Sequence, residues 1–173
     1  MSLNPDLQHC RTGPTPFEPS RMSDLATGFM RLALLEGRRA LPSCLPNPPV
    51  GCVLVRDGRV IASGFTQPPG QPHAEAMALS QLAGDLSDVV AFVSLEPCSF
   101  HGRTPSCAKA LVNRGIRRVY VATLDPDPRN SGAGIEILRA AGIVVSVGTL
   151  EESALEDLSR YLTEITSLKP TLK

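Results

Sequence analysis

Val89-Val90-Ala91-Phe92-Val93-Ser94-Leu95-Glu96-Pro97-Cys98 opens as an unbroken apolar run and closes on a proline turn. A short valine-rich run bounded by breakers reads as a strand buried on both faces, not as one turn of an amphipathic helix. On its C-terminal side the pattern alternates: helix from Pro105 to Arg114, strand from Arg118 to Thr123, helix from Ile135 to Ala141, strand from Ile143 to Val147, helix from Leu150 to about Thr166. Strands alternating with helices predict a largely parallel sheet with helices on both faces. On its N-terminal side, Val50 to Arg56 and Val60 to Phe65 flank Asp57-Gly58, a hairpin signal that adds one reversed strand, and a helix from His73 to Ala83 follows. The fold class is therefore α/β with a mixed sheet.

Further outward, Leu25, Phe29, Leu32, Ala33 and Leu35 recur at helical spacing behind a Ser23 or Asp24 cap, predicting a helix that ends near Arg39. Pro42, Pro46, Pro48 and Pro49 then impose a stiff loop. Residues 1–22 are proline-rich and aperiodic, so they read as a disordered tail ahead of one domain spanning 23–168.

Lys plus Arg and Asp plus Glu each number 17, so the net charge is zero and lacks the basic excess of a nucleic-acid binder. No apolar run approaches the roughly 18 residues of a membrane span. Asn4, Pro5 and Asp6 interrupt any secretory signal, which predicts a cytoplasmic protein with no membrane partner. In a reducing compartment five cysteines are more readily metal ligands, catalytic groups or core residues than disulfides.

Three segments carry the chemistry: Pro72-His73-Ala74-Glu75, Glu96-Pro97-Cys98, and Cys107 in Gly102-Arg103-Thr104-Pro105-Ser106-Cys107. Each sits where a strand or loop gives way to a helix, at the sheet end where α/β sites form. Thr104 is the predicted cap and Pro105 the first residue of the helix holding Cys107, so helix-start amides favour ionised sulfur. One imidazole and two thiolates supply three ligands to Zn²⁺ and leave a fourth position for water, whose pKa zinc lowers to about 7. Glu75 is the candidate proton shuttle; a His-x-Glu pair serves one site only in a helix's first turn. A structural zinc with His101 as fourth ligand, in a catalytically inactive module, is the alternative. Glu96, beside Pro97 at a strand end, is expected to accept backbone hydrogen bonds, and Cys52 to be core. Arg114, Arg117 and Arg118 are expected to complement the preceding helix's dipole.

His-x-Glu with a later Pro-Cys is the signature of zinc deaminases, here with a longer spacer between Cys98 and Cys107. From about Ser23 to Gly148 the chain resembles the deaminase domain of the bacterial riboflavin-biosynthesis deaminase/reductase. The likeness rests on Pro46-Asn47-Pro48-Pro49-Val50-Gly51, Gly70-Gln71-Pro72-His73-Ala74-Glu75, the segment Leu95 to Cys107, and Asp125-Pro126-Asp127-Pro128. The resemblance implies a cytidine-deaminase-like three-layer α/β/α sandwich on a five-stranded sheet, standing alone without the reductase domain. It also implies a zinc-dependent hydrolytic deamination of a small-molecule aminopyrimidine, the diaminohydroxyphosphoribosylaminopyrimidine of riboflavin biosynthesis, and a homo-oligomer. By the same analogy Asn47 contacts the base, and Arg103, Thr104 and Asp125 fall in the ribose-phosphate part of the pocket. Thr66 stands where the family usually has histidine, and Asp127 where it usually has asparagine. A carboxylate there repels phosphate unless Arg129 intervenes, so deamination of another aminoheterocycle or nucleoside, without phosphate, is the alternative. Zero net charge and few aromatic residues disfavour a nucleic-acid substrate.

Overall fold

The computed structural model describes residues 19–100 and 105–168. The elements run in the order α1 (Pro19–Arg38), β1 (Gly51–Arg56), β2 (Arg59–Phe65), α2 (Ala74–Ser80), β3 (Val90–Val93), α3 (Cys107–Asn113), β4 (Arg118–Val121), α4 (Ala133–Ala140), β5 (Val144–Val147) and α5 (Glu151–Leu168). The five strands form one sheet in the order β2-β1-β3-β4-β5. β1 is antiparallel to both its neighbours, whereas β3, β4 and β5 are parallel. The mixed α/β/α sandwich expected from the residue pattern is the fold found.

Alternation along the central strands fills two cores at once. Cys52 and Leu54 of β1, with Ala91 and Val93 of β3, pack under α2, α3 and α4 through Ala78, Leu111 and Leu138. Val53, Val55 and Phe92 face the opposite side, against Met30 and Ala33 of α1 and Ala154 of α5. Phe92 also stacks on Tyr120 of β4, with ring centroids 4.8 Å apart. Cys52 is fully buried, as its place in the strand predicts.

Several boundaries differ from the sequence reading, each for a local reason. The first helix begins at Pro19, not at Ser23 or Asp24, so residues 19–22 belong to α1 and not to a tail. Proline's fixed φ suits the first helical position. The rest of that predicted tail, 1–18, lies outside the described residues. α2 stops at Ser80, short of Ala83. Its exposed carbonyls meet the Arg114 guanidinium, which donates to the carbonyl oxygens of Leu79 (2.9 Å), Leu82 (2.8 Å) and Gly84 (3.3 Å). Arg114 therefore caps a neighbouring helix, not its own. The helix holding Cys107 is capped by Ser106, whose Oγ accepts from Lys109 N–H, and not by Thr104.

Gly64 of β2 sets how closely α2 lies on the sheet. A Cβ there would stand 2.3 Å from Ala74 O and 2.7 Å from Ala78 N, both backbone atoms that cannot yield without moving the helix. Gly64→Ala is expected to lower unfolding free energy by about 1–3 kcal/mol, as overpacking does, measured by urea denaturation. Because α2 carries His73 at its cap and Glu75 in its first turn, the placement of both should shift as well.

Candidate active site

His73 is the N-cap of α2, with φ −72° and ψ 169°, and Glu75 is buried in the first turn. His73 at the cap and Glu75 in the first turn both line one cleft, which is the first-turn arrangement a His-x-Glu pair demands. Cys98 follows the turn after β3, and Cys107 is the first residue of α3. The N-terminus of α3 is fastened to the Cys98 loop: Ser106 Oγ–H donates to Cys98 O at 2.8 Å, and Ala108 N–H to the same oxygen at 3.2 Å. Cys107 N–H points at Cys98 Sγ, 3.3 Å away.

These elements bring together His73, Cys98 and Cys107, the one group of three potential metal ligands among the described residues. His73 Nδ1 is 3.7 Å from Cys98 Sγ and 3.5 Å from Cys107 Sγ. Bonds of about 2.0 Å to nitrogen and about 2.3 Å to sulfur, meeting at a tetrahedral centre, require a separation of about 3.6 Å. The donor set therefore fits zinc in both chemistry and spacing. The two sulfurs do not ionise alike on their own. The Cys98 thiol is held well below its ordinary range by a hydrogen bond from Cys107 and then by His73, while Cys107 is raised, chiefly by its partner Cys98. A cation bound between them would favour the ionised form of both sulfurs. Burial, followed by the charge on Cys98, pushes the Glu75 carboxyl up to about 7.

The site opens into a cleft of about 850 Å³, large enough for a small-molecule substrate. Asn47 and Asp125 line it, as do Thr66, Phe100 and Tyr161. Asn47 is presented by the proline-rich loop, which is anchored where Tyr161 Oη–H donates to Pro46 O at 2.6 Å. Thr66 is buried and secures the end of the same loop: its N–H donates to Val50 O, and its Oγ1 accepts from Val50 N–H at 3.0 Å. Asp127 and Arg129 stand at the mouth as an ion pair in which the guanidinium Nε is 3.0 Å from both carboxylate oxygens. Asp127 is thereby held down to about 2, and the Arg129 guanidinium lies 5.7 Å over the Phe100 ring. His101, Arg103 and Thr104 lie outside the described residues.

Glu96 ties the two halves of the cleft together. Its buried carboxylate accepts from Asp125 N–H (3.2 Å) and Gly132 N–H (2.9 Å) on one oxygen, and from Gly134 N–H (2.9 Å) and Ile135 N–H (3.2 Å) on the other. Gly134 permits this approach, since a Cβ there would meet Pro97 O at 2.0 Å. Sequence reasoning placed Glu96 among backbone donors but could not name them. It missed Tyr161 and Asn130. Tyr161 reads as one more apolar position on α5. Asn130 is almost fully buried, yet in sequence it is an ordinary polar turn residue.

Residues 23–123 match the model of the cytidine and deoxycytidylate deaminase zinc-binding region, and the chain belongs to that family. It is 44% identical over 152 residues to the riboflavin biosynthesis protein RibD of Aquifex aeolicus, covering 87% of this chain and 43% of that protein. It is 47% identical over 123 residues to the chloroplastic riboflavin biosynthesis protein PYRD of Zea mays, covering 71% of this chain and 31% of that one. Among solved structures, the diaminohydroxyphosphoribosylaminopyrimidine deaminase/5-amino-6-(5-phosphoribosylamino)uracil reductase of Thermotoga maritima superposes with a TM-score of 0.77 at 39% identity, covering 86% of this chain and 43% of that one. The chain thus spans about two fifths or less of the length of these relatives. No helix among the described residues is long and apolar enough to cross a membrane.

Glu96→Gln places an amide N–H against a backbone N–H and is expected to cost about 2–3 kcal/mol of stability, read from chemical denaturation. Cys107→Ala leaves two of the three donors, and metal analysis of the purified variant should find less than about a tenth of the zinc bound by the unaltered protein.

Proposed function

We propose that residues 23–168 form a zinc-dependent hydrolytic deaminase acting on an aminopyrimidine of riboflavin biosynthesis. The observation that carries this reading is the convergence of His73, Cys98 and Cys107 beside the buried Glu75 carboxyl, at the floor of a cleft of small-molecule size. Likeness to RibD of Aquifex aeolicus and to the Thermotoga maritima deaminase/reductase supports the substrate, diaminohydroxyphosphoribosylaminopyrimidine.

His73, Cys98 and Cys107 would hold Zn²⁺. Zinc bound there supplies Lewis acidity and lowers the pKa of water at neutral pH. Glu75 takes a proton from the attacking water and returns it to the leaving ammonia; a carboxyl shielded from solvent but reaching the cleft suits both transfers. Asn47 hydrogen-bonds the base, and Asp125, with Arg103 and Thr104 from the neighbouring loop, receives the ribose-phosphate portion. A cytoplasmic location and a homo-oligomer complete the reading.

Asp127 favours a second reading. Its carboxylate stands at the mouth where a phosphate would lie; Arg129 intervenes and offsets the repulsion, but in doing so its guanidinium is engaged by Asp127 and not by a phosphate, so an aminoheterocycle lacking phosphate also suits the same cleft. Ammonia release by the zinc-loaded protein, compared between the phosphorylated aminopyrimidine and its dephosphorylated form, decides between them. Activity on neither overturns the proposed function. With the preferred compound, Glu75→Gln should retain zinc and lower kcat by about 100-fold or more, as loss of a general acid–base does; steady-state kinetics beside metal analysis checks this.

A further inference from the structure

We propose that Asn130 is a positioning residue for this site: one side-chain amide, whose own orientation is fixed by the loop carrying Cys98, sets the orientation of the Asp125 carboxylate in the cleft. The inference rests on the reading of Asp125 as a substrate contact. Asn130 is 1% exposed, in the turn between β4 and α4. Its Oδ1 accepts from Ser99 N–H at 2.8 Å, and its Nδ2–H donates to Asp125 Oδ2 at 3.1 Å. A backbone N–H can only donate, so it fixes which end of the amide is oxygen; the nitrogen must then face Asp125. Asp125 Oδ1 accepts from Asp127 N–H at 2.9 Å. Both carboxylate oxygens are thus held from below, and each retains a second lone pair for a ligand.

Asn130 is not what keeps the two loops together. Its backbone is fixed by its own turn, with Asn130 N–H donating to Asp127 O at 2.9 Å and Asn130 O accepting from Ala133 N–H at 2.7 Å. Glu96 separately joins the Cys98 side to Asp125, Gly132, Gly134 and Ile135. The distinct contribution of the Asn130 side chain is the direction of one carboxylate. An aspartate at this position would keep an acceptor for Ser99 N–H but replace the donor facing Asp125 with a second acceptor.

The test compares zinc-loaded full-length protein with Asn130→Asp, using diaminohydroxyphosphoribosylaminopyrimidine and its dephosphorylated form as substrates. Bound zinc should be unchanged, KM for the better substrate should rise about tenfold or more, and kcat should stay within about threefold, since a contact made in ground and transition states alike is removed. Asn130→Ser, which removes the donor without adding charge, keeps the test open if Asn130→Asp does not fold, and should raise KM in the same direction. An unchanged KM in a folded, zinc-replete variant overturns the inference while leaving the deaminase reading intact. So does a loss confined to kcat and bound zinc, which would make Asn130 a support of the metal loop alone. Absence of ammonia from the unaltered protein overturns the deaminase reading, and this inference with it.

Discussion

Everything in the site depends on how closely two helix N-termini can be pressed against one end of the sheet. α2 touches the backbone of β2 at Gly64, and the start of α3 is fastened to the loop leaving β3 by the Ser106 hydroxyl and the Ala108 amide. Those contacts place the sulfurs of Cys98 and Cys107 3.7 and 3.5 Å from the His73 imidazole Nδ1. Three polar groups confined so tightly would be costly to bury without a cation. The same crowding lowers the Cys98 thiol and raises that of Cys107, and burial raises the Glu75 carboxyl.

A second layer of polar groups gives the cleft its shape. Glu96 gathers four backbone amides, Thr66 and Tyr161 secure the proline-rich loop at opposite ends, and Arg129 neutralises Asp127 at the mouth. The floor carries His73, Glu75 and Cys107 at helix starts and Cys98 on the loop that leaves β3. The rim, which faces the variable part of a substrate, is built on loops. Rim residues on these loops can therefore change without moving the helix starts that carry His73, Glu75 and Cys107.

The convergence of His73, Cys98 and Cys107 beside Glu75 was legible because these residue types form an unusual combination. His73, Glu75, Cys98 and Cys107 each lie at a strand-to-helix or loop-to-helix junction, and few alternatives explain them together. The substrate side was less legible. Asn47 and Asp125 entered through family likeness, and the structure places both on the cleft wall. Asn130 and Tyr161 carried no signal of their own, because a buried polar contact made across the fold leaves no trace in local spacing.

The chain's own order of residues determined the layered α/β architecture, the reversed strand of the hairpin and the ligand set, since hydrophobic periodicity and junction residues act over a few positions. Tertiary structure alone decided where each element ends and how the ligands meet. α2 stops where Arg114, from another helix, takes its carbonyls, and the helix of Cys107 starts at Ser106 because that hydroxyl can reach both Cys98 O and Lys109 N–H. The first choice is made by a partner more than thirty residues away and the second by a loop outside the helix, and only folding brings those partners within bonding distance.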